Sequence, residues 1–390
     1  MRVLQVAYAC RPGSGSEPGA GWILAQSAAA RHDVWLVTQP GNVSAIAAAP
    51  DVAPGLRVVP SGPRLSPRWA RVPAARRAHS VVWHLSARRT VRRLHARIGF
   101  DVAHHTTYAS DSSCTAVTAL KGVPYVWGPV GGYCRTTLVF ARFLGIRGTA
   151  REVTRVVGTG VARRLLARGV AQHAGLVVAQ NADAAALIRR KTNRVVVHPN
   201  VALSSHVKRN PESARLKTIG YAGHLLRLKG LGLLLDALAE PSLRAWTLEL
   251  VGDGPDEQWL RDRAAALGVA ERVTFLGRLP HNEVLTWLET ISLFAFPSFR
   301  DSAGWALAEA VMVGVPVVAL DQGGPPTITG GLGIVASRPV HSLASRLAQR
   351  IAGGGGQAPA VWSSHRFPEV IDTWYRRAVG ELHQGAESTS

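Results

Sequence analysis

One pattern limits what this chain can fold into more than any other. Short runs of β-branched and other apolar residues alternate with longer Ala- and Leu-rich stretches, and the alternation occurs twice. In the first half, Val3–Ala9, Asp33–Thr38, Leu56–Pro60, Asp101–His104, Pro124–Trp127, Leu176–Ala179 and Arg194–His198 read as strands. Gly21–Ala30 and His79–Ile98 read as helices, the second with Val82, Leu85, Val91, Leu94 and Ile98 on its apolar side and arginines elsewhere. Strands separated by ten or more helix-like residues imply parallel βαβ units. A polar stretch near 200–217, containing Asn210-Pro211, interrupts the pattern and reads as a linker. The alternation then restarts with strands at Thr218–Ala222, Thr247–Val251, Val273–Leu276, Leu293–Pro297 and Pro316–Leu320. The expected fold is α/β, two Rossmann-like doubly wound domains facing a cleft. Its expected divisions are 1–200, a linker 201–216, 217–365, and a C-terminal helix with a loose tail over 366–390. In such sheets ligands bind beyond the carboxyl ends of the strands.

Hydrophobic residues make up 47% of the 390, enough for large cores and incompatible with global disorder. No uninterrupted apolar run reaches the length of a membrane span. The opening MRVLQVAYAC reads as a buried strand rather than a signal peptide. Cys10, Cys114 and Cys134 form neither a disulfide framework nor a CxxC pair, so a reducing cytoplasm is expected. The net charge of +20 is uneven: residues 1–200 hold 27 Lys+Arg against 7 Asp+Glu, and residues 201–390 hold 18 against 18. Eleven arginines and no acid lie between Asp51 and Asp101. Arginine-rich coding bias does not explain a one-sided excess, which points to an anionic partner. A nucleic-acid partner is not expected, because the charge lacks interleaved aromatics and a binding motif.

Candidate chemistry concentrates in glycine loops at strand ends. The sharpest runs from Phe296 through Asp301 and Gly304 to Glu309, then on to Ala319. A helix opening at Gly304 offers backbone N–H groups to a phosphate. Carboxylates at Asp301 and Glu309 suit vicinal hydroxyls instead; equally, Asp301 can cap the helix and Glu309 can be a surface residue. Together they point to a sugar nucleotide. Gly223-His224-Leu-Leu-Arg227-Leu-Lys229-Gly230 follows a strand and can bring an ammonium to a diphosphate. Leu250–Pro255, Phe275–Pro280 and Asp321–Pro325 are further loops of this kind. Near the start, Gly13, Gly15, Gly19 and Gly21 read as a flexible loop near phosphates or acceptor; the spacing does not match a nicotinamide fingerprint.

At these residues the C-terminal half resembles the donor domain of the retaining glycosyltransferases of family four, which have the GT-B fold. The Glu-x7-Glu element and its A-x3-G-x-P-V-V-A continuation match Asp301 through Ala319, in a bacterial branch with a P-S-x-x-D-S-G-G-W pattern. The G-R-L-x3-K-G element matches Gly223 to Gly230. Cys10–Trp22 and Val126–Gly132 resemble the same branch. The resemblance implies that Glu309 binds the ribose, Asp301 the donor-sugar hydroxyls, Lys229 the diphosphate, and Gly304 the sugar or phosphate. Arg278 and Leu279 would lie near the base, with Gly223 and Gly19 also at the donor. His224 replaces the usual arginine, so Arg227 is expected to compensate, and Ala303 replaces a glycine. A histidine at the edge of the N-terminal domain is expected at the reaction centre, His104 first and His105 second.

The expected activity is therefore transfer of a sugar from a nucleoside-diphosphate donor, UDP-linked, to an acceptor hydroxyl with retention. Polysaccharide, lipid-linked glycan and natural-product assembly are all open settings. The alternatives are a sugar-nucleotide epimerase and a catalytically idle GT-B scaffold. No cofactor and no metal are expected, since no DxD-like pair is placed for a divalent ion. The basic half implies peripheral contact with an anionic membrane at its inner face.

Overall fold

The computed structural model describes residues 1–70, 72–132, 134, 138–201, 203 and 217–381. Most of the expected linker, 202 and 204–216, and the tail from 382 lie outside the described residues.

The alternation folds into two parallel sheets. In the first, β1 (Arg2–Ala7), β2 (Asp33–Thr38), β3 (Leu56–Pro60), β4 (Val102–Thr107), β5 (Tyr125–Val130), β6 (Leu176–Ala179) and β7 (Val195–Val197) take the order β3-β2-β1-β4-β5-β6-β7. In the second, β8 (Thr218–Ala222), β9 (Thr247–Val251), β10 (Val273–Gly277), β11 (Leu293–Phe296), β12 (Val317–Leu320) and β13 (Ile334–Val335) take the order β10-β9-β8-β11-β12-β13. Both are doubly wound: the strand order reverses between β1 and β4 in one sheet and between β8 and β11 in the other. Their central strands are buried on both faces, which explains why they read as continuous apolar runs.

The chain does not divide at a single point. One compact unit comprises Met1–Tyr133, Val157–Ala202 and Ser364–Ser390; the other comprises Cys134–Val156 and Leu203–Ser363. This differs from a cut near residue 200 for a packing reason. Phe140, Phe143 and Leu144 belong to the core of the second unit, where Phe140 and Phe143 stack on Phe299 at centroid distances of 4.5 and 5.3 Å. Conversely, Phe367, Ile371, Trp374 and Tyr375 of the Phe367–Ala378 helix fill the core under β1, β2 and β5. Redrawn on these units, the charge is 25 Lys+Arg against 10 Asp+Glu in the first and 20 against 15 in the second. The asymmetry survives but is smaller than the sequence halves imply.

Two helices depart from expectation. The Pro73–Ile98 helix buries Trp83, Ala87 and Val91, whereas Val82 and Leu85 are 55% and 49% exposed. The buried stripe therefore runs through Ser80, Trp83, His84, Ala87 and Val91, and two of the expected apolar positions face solvent. The first helix spans Ser16–Ala29, so Gly19 and Gly21 are helical rather than loop residues. A Cβ at Gly19 would stand 1.8 Å from the Ser14 carbonyl oxygen, a close approach that only glycine permits.

Candidate active site

In the second sheet every strand is parallel, so the loops after β8, β9, β10, β11 and β12 emerge along one edge. The gap between β8 and β11 is the topological switch point, where such sheets hold ligands. The loops from these two strands meet there. Gly230 has φ 73° and ends the turn Arg227–Lys229; a Cβ on it would lie 1.9 Å from the Pro297 carbonyl oxygen. That contact lets Lys229 reach the β11 loop. Its Nζ donates to Asp301 Oδ2 at 2.5 Å and stands 5.7 Å from the centre of the Phe296 ring.

Asp301 does two things at once. Its Oδ1 accepts from the N–H groups of Gly304 at 2.9 Å and Ala303 at 3.3 Å, bracing the turn that leads into the Trp305–Val313 helix. The helix N-cap is Gly304 and carries no side-chain cap, so Asp301 fixes the preceding turn rather than capping the helix. Burial works against its charge, but Lys229 and the two backbone donors outweigh burial and hold its pKa below the usual range.

Glu309 sits in the second turn of the same helix and is 8% exposed. Its nearest charged neighbour among the described residues is His281, Nδ1 to Oε1 3.8 Å, beyond hydrogen-bond distance. Burial pushes its carboxyl up to about 7. No described residue donates a hydrogen bond to this largely buried carboxylate, and its oxygens keep some access to solvent; hydroxyl groups are donors of the kind it could accept from.

The other expected donor residues are engaged in different ways. Arg227 lies over the Trp259 ring at 4.1 Å, with Nε 3.5 Å from Asp256 Oδ1. Both of these partners lie in its own unit. His224 is exposed, its Nδ1 3.3 Å from the Asp253 carbonyl oxygen. Arg278 is 72% exposed and pairs with Asp253 at 2.8 Å; Leu279 is half-buried beside it. Gly223, with φ 146°, ends β8.

A cluster that the sequence did not reveal supports this edge. Glu152, buried, takes Arg155 Nε on both carboxylate oxygens at 3.1 and 3.0 Å, and Arg300 Nη1 bonds the same carboxylate. Burial disfavours the charge of Glu152, yet the two guanidinium groups keep its pKa below the usual range. Arg300 immediately precedes Asp301, so the pair ties the β11 loop to the Cys134–Val156 segment. The 148-residue separation hides it from local sequence reading.

In the first unit the edge is built differently. Glu17, within the Cys10–Trp22 segment, accepts from the Tyr108 backbone N–H at 3.0 Å and the Asn200 side chain at 3.3 Å. This clasps the loops after β1 and β4. His104 and His105 are fully buried in β4. The His104 Nε2 is 2.7 Å from the Gly128 carbonyl oxygen and so carries the proton, while Nδ1 accepts from the Tyr375 hydroxyl at 3.0 Å. His105 Nε2 lies 2.9 Å from the Thr107 carbonyl oxygen, and its ring packs 4.5 Å from His84. Burial lowers the two pKa values to about 3 and about 4. As folded, these are packed core histidines, and neither ring faces a ligand-accessible surface. Gly19, likewise, is packed within its helix.

Among the described residues no group of three or more His, Cys, Asp or Glu is placed to hold a metal ion. No helix among them is long and apolar enough to cross a membrane.

Residues 216–352, which contain the whole of this edge, match the family described as glycosyl transferases group 1. A D-inositol 3-phosphate glycosyltransferase of Mycobacterium marinum is 29% identical over 219 residues, 49% of this chain and 46% of that protein. The chain thus matches less than half the length of the curated relatives. Among solved structures, sucrose-phosphate synthase from Thermosynechococcus elongatus aligns over 97% of this chain and 96% of its own, with a TM-score of 0.60 and 16% identity. The Anabaena protein HepE in complex with UDP aligns over 96% and 100%, with a TM-score of 0.55 and 18% identity. At these identities the likeness is one of fold. Residues 216–352 are thus similar to the group 1 glycosyltransferases, on a chain with the two-domain α/β fold of the GT-B glycosyltransferases.

Proposed function

We propose that the protein is a retaining glycosyltransferase that moves a sugar from a UDP-linked donor to an acceptor hydroxyl. The observation that carries the reading is the switch-point edge of the second unit, where a lysine–carboxylate pair and a second, largely buried carboxylate with no hydrogen-bond donor among the described residues stand on neighbouring loops and the helix that follows. The match of residues 216–352 to group 1 glycosyltransferases supports it, as does the binding of UDP by a protein of the same fold.

In this reading the ribose hydroxyls donate to Glu309, whose carboxyl ionises when those donors arrive. Asp301, locked by Gly304 and Ala303, orients donor-sugar hydroxyls. Lys229 takes the diphosphate and offsets the charge that develops as the sugar leaves. The leaving diphosphate takes the acceptor proton, so no protein nucleophile is needed. The acceptor is held by the strongly basic first unit, which favours an anionic acceptor and contact with an anionic membrane surface.

The test is incubation with UDP-glucose, UDP-galactose and UDP-N-acetylglucosamine and assignment of the product's anomeric configuration by NMR. An α-linked product from an α-linked donor is expected. A β-linked product would overturn retention, and isomerised donor without transfer would overturn the transferase reading in favour of an epimerase.

A further inference from the structure

Away from the strand ends considered above, the first unit holds a cavity of about 410 Å3 beside the amino end of β5. Its lining combines Arg88 of the Pro73–Ile98 helix, Thr115 and Thr118, Tyr125 at the start of β5, and Arg168 and His173. Leu120, Val123, Leu166 and Val170 supply the apolar part. No carboxylate lines it.

The polar groups are poorly satisfied by the protein itself. Arg88 is half-buried; its Nε is shut off from solvent without a hydrogen-bond partner, and its Nη2 makes only a long 3.4 Å contact to Thr118 Oγ1. Arg168 and His173 stand exposed at the mouth. His173 Nδ1 is 2.8 Å from the Gly169 carbonyl oxygen, which fixes the proton there and leaves Nε2 outward. The Tyr125 hydroxyl, by contrast, is committed to the Val170 carbonyl oxygen at 2.6 Å. Buried guanidinium N–H groups without partners are unfavourable. Forked donors of this kind match phosphate oxygens.

We infer that this cavity binds a phosphate group carried on an apolar body. The two arginines take the phosphate, and the four aliphatic side chains take the first carbons of the attached chain. The site lies apart from the donor edge and does not depend on the transferase assignment.

Isothermal titration of the full chain with hexyl phosphate, hexanol and inorganic phosphate tests the site. Hexyl phosphate should bind, and hexanol should not. Arg168→Glu, at an exposed position, should weaken hexyl phosphate by about tenfold or more. Arg93→Glu, an exposed arginine outside the cavity, makes the same charge change and should alter it less than about twofold. Equal losses in the two variants would mean a diffuse field and overturn the site, as would no binding by the wild type. The source is read from vesicles. Retention on phosphatidylcholine vesicles containing phosphatidylglycerol, lost in Arg168→Glu only, identifies a lipid headgroup; hexyl phosphate binding without vesicle retention identifies a soluble alkyl phosphate, and equal affinity for inorganic and hexyl phosphate would overturn the apolar part of the site.

Discussion

At the switch point of the second sheet, the loops after β8 and β11 hold Lys229 against Asp301, and the next helix carries Glu309 without a hydrogen-bond donor. At the corresponding place in the first sheet, Glu17 is already bonded to Tyr108 and Asn200, and the histidines of β4 lie inside the core. The same winding thus yields one edge whose charged side chains keep some access to solvent and one whose histidines are sealed in the core, where His105 Nδ1 has no hydrogen-bond partner. The difference shows that topology fixes where loops gather, while the partners each side chain finds decide whether that place is free to take a ligand.

The largest expected contrast is in pH dependence. His104, His105 and His198 are held near pKa 3, 4 and 4, mainly by burial. They stay neutral when folded and take up protons on unfolding. The first unit therefore loses stability as pH falls from about 6.5 toward 4, by on the order of several kcal/mol. Glu309 has the opposite sign: with its pKa raised to about 7, the folded state keeps the proton longer. The second unit loses stability as pH rises from about 4.5 through 7, by on the order of 3 kcal/mol. Hydrogen exchange, corrected for its intrinsic pH dependence, should show β4 loosening at acid pH and β11 at mildly alkaline pH. Glu309→Gln should remove the alkaline loss. Parallel behaviour of the two units would break the contrast.

Next comes Lys229→Ala, which should lower donor-dependent transfer by about tenfold to a hundredfold, a loss of roughly 1.5–3 kcal/mol, with the fold intact by circular dichroism. Wild-type turnover would remove the lysine from the site.

His104→Ala sharpens the comparison from the other side. It leaves the Tyr375 hydroxyl and the Gly128 carbonyl without their partner, so unfolding should come about 2–3 kcal/mol sooner, and turnover well below the melting temperature should stay near wild type. A tenfold fall in turnover with an unchanged melting temperature would restore the catalytic role expected from the sequence.

The smallest effect is at Arg278. Its pair with Asp253 is solvent-exposed, and such pairs contribute about 0–1 kcal/mol. Arg278→Ala should change the donor KM by less than about fivefold, measured by initial rates across donor concentrations. A larger change would place this arginine against the donor.

Much of this architecture was legible locally. The strands Leu176–Ala179, Thr218–Ala222 and Thr247–Val251 and the helix Trp305–Val313 follow the expected bounds, because a doubly buried parallel strand and a glycine-opened apolar helix leave few other readings. Other parts were not legible. The Ala141–Leu165 helix contains seven glycines and threonines spread among arginines and valines and has no capping signal, so its composition resembles a loop. Val157, Val161 and Leu165 recur every four residues on it yet are 60%, 52% and 75% exposed, so its apolar spacing marks no buried face. The Glu152–Arg300 pair and the Tyr375–His104 hydrogen bond join residues 148 and 271 positions apart, and no local spacing encodes them.

The amino-acid order alone set the two parallel sheets, the glycine loops at their carboxyl ends, the positions of Lys229 and Asp301 on those loops and that of Glu309 on the helix that follows. Periodicity and turn chemistry are properties of neighbours along the chain. Only the tertiary structure decided which unit each segment joins, which polar groups are satisfied, and which histidines are sealed. Those outcomes depend on burial and on partners far away in sequence: the aromatic side chains of Phe140, Phe143 and Trp374 carry their segments to whichever core can bury them.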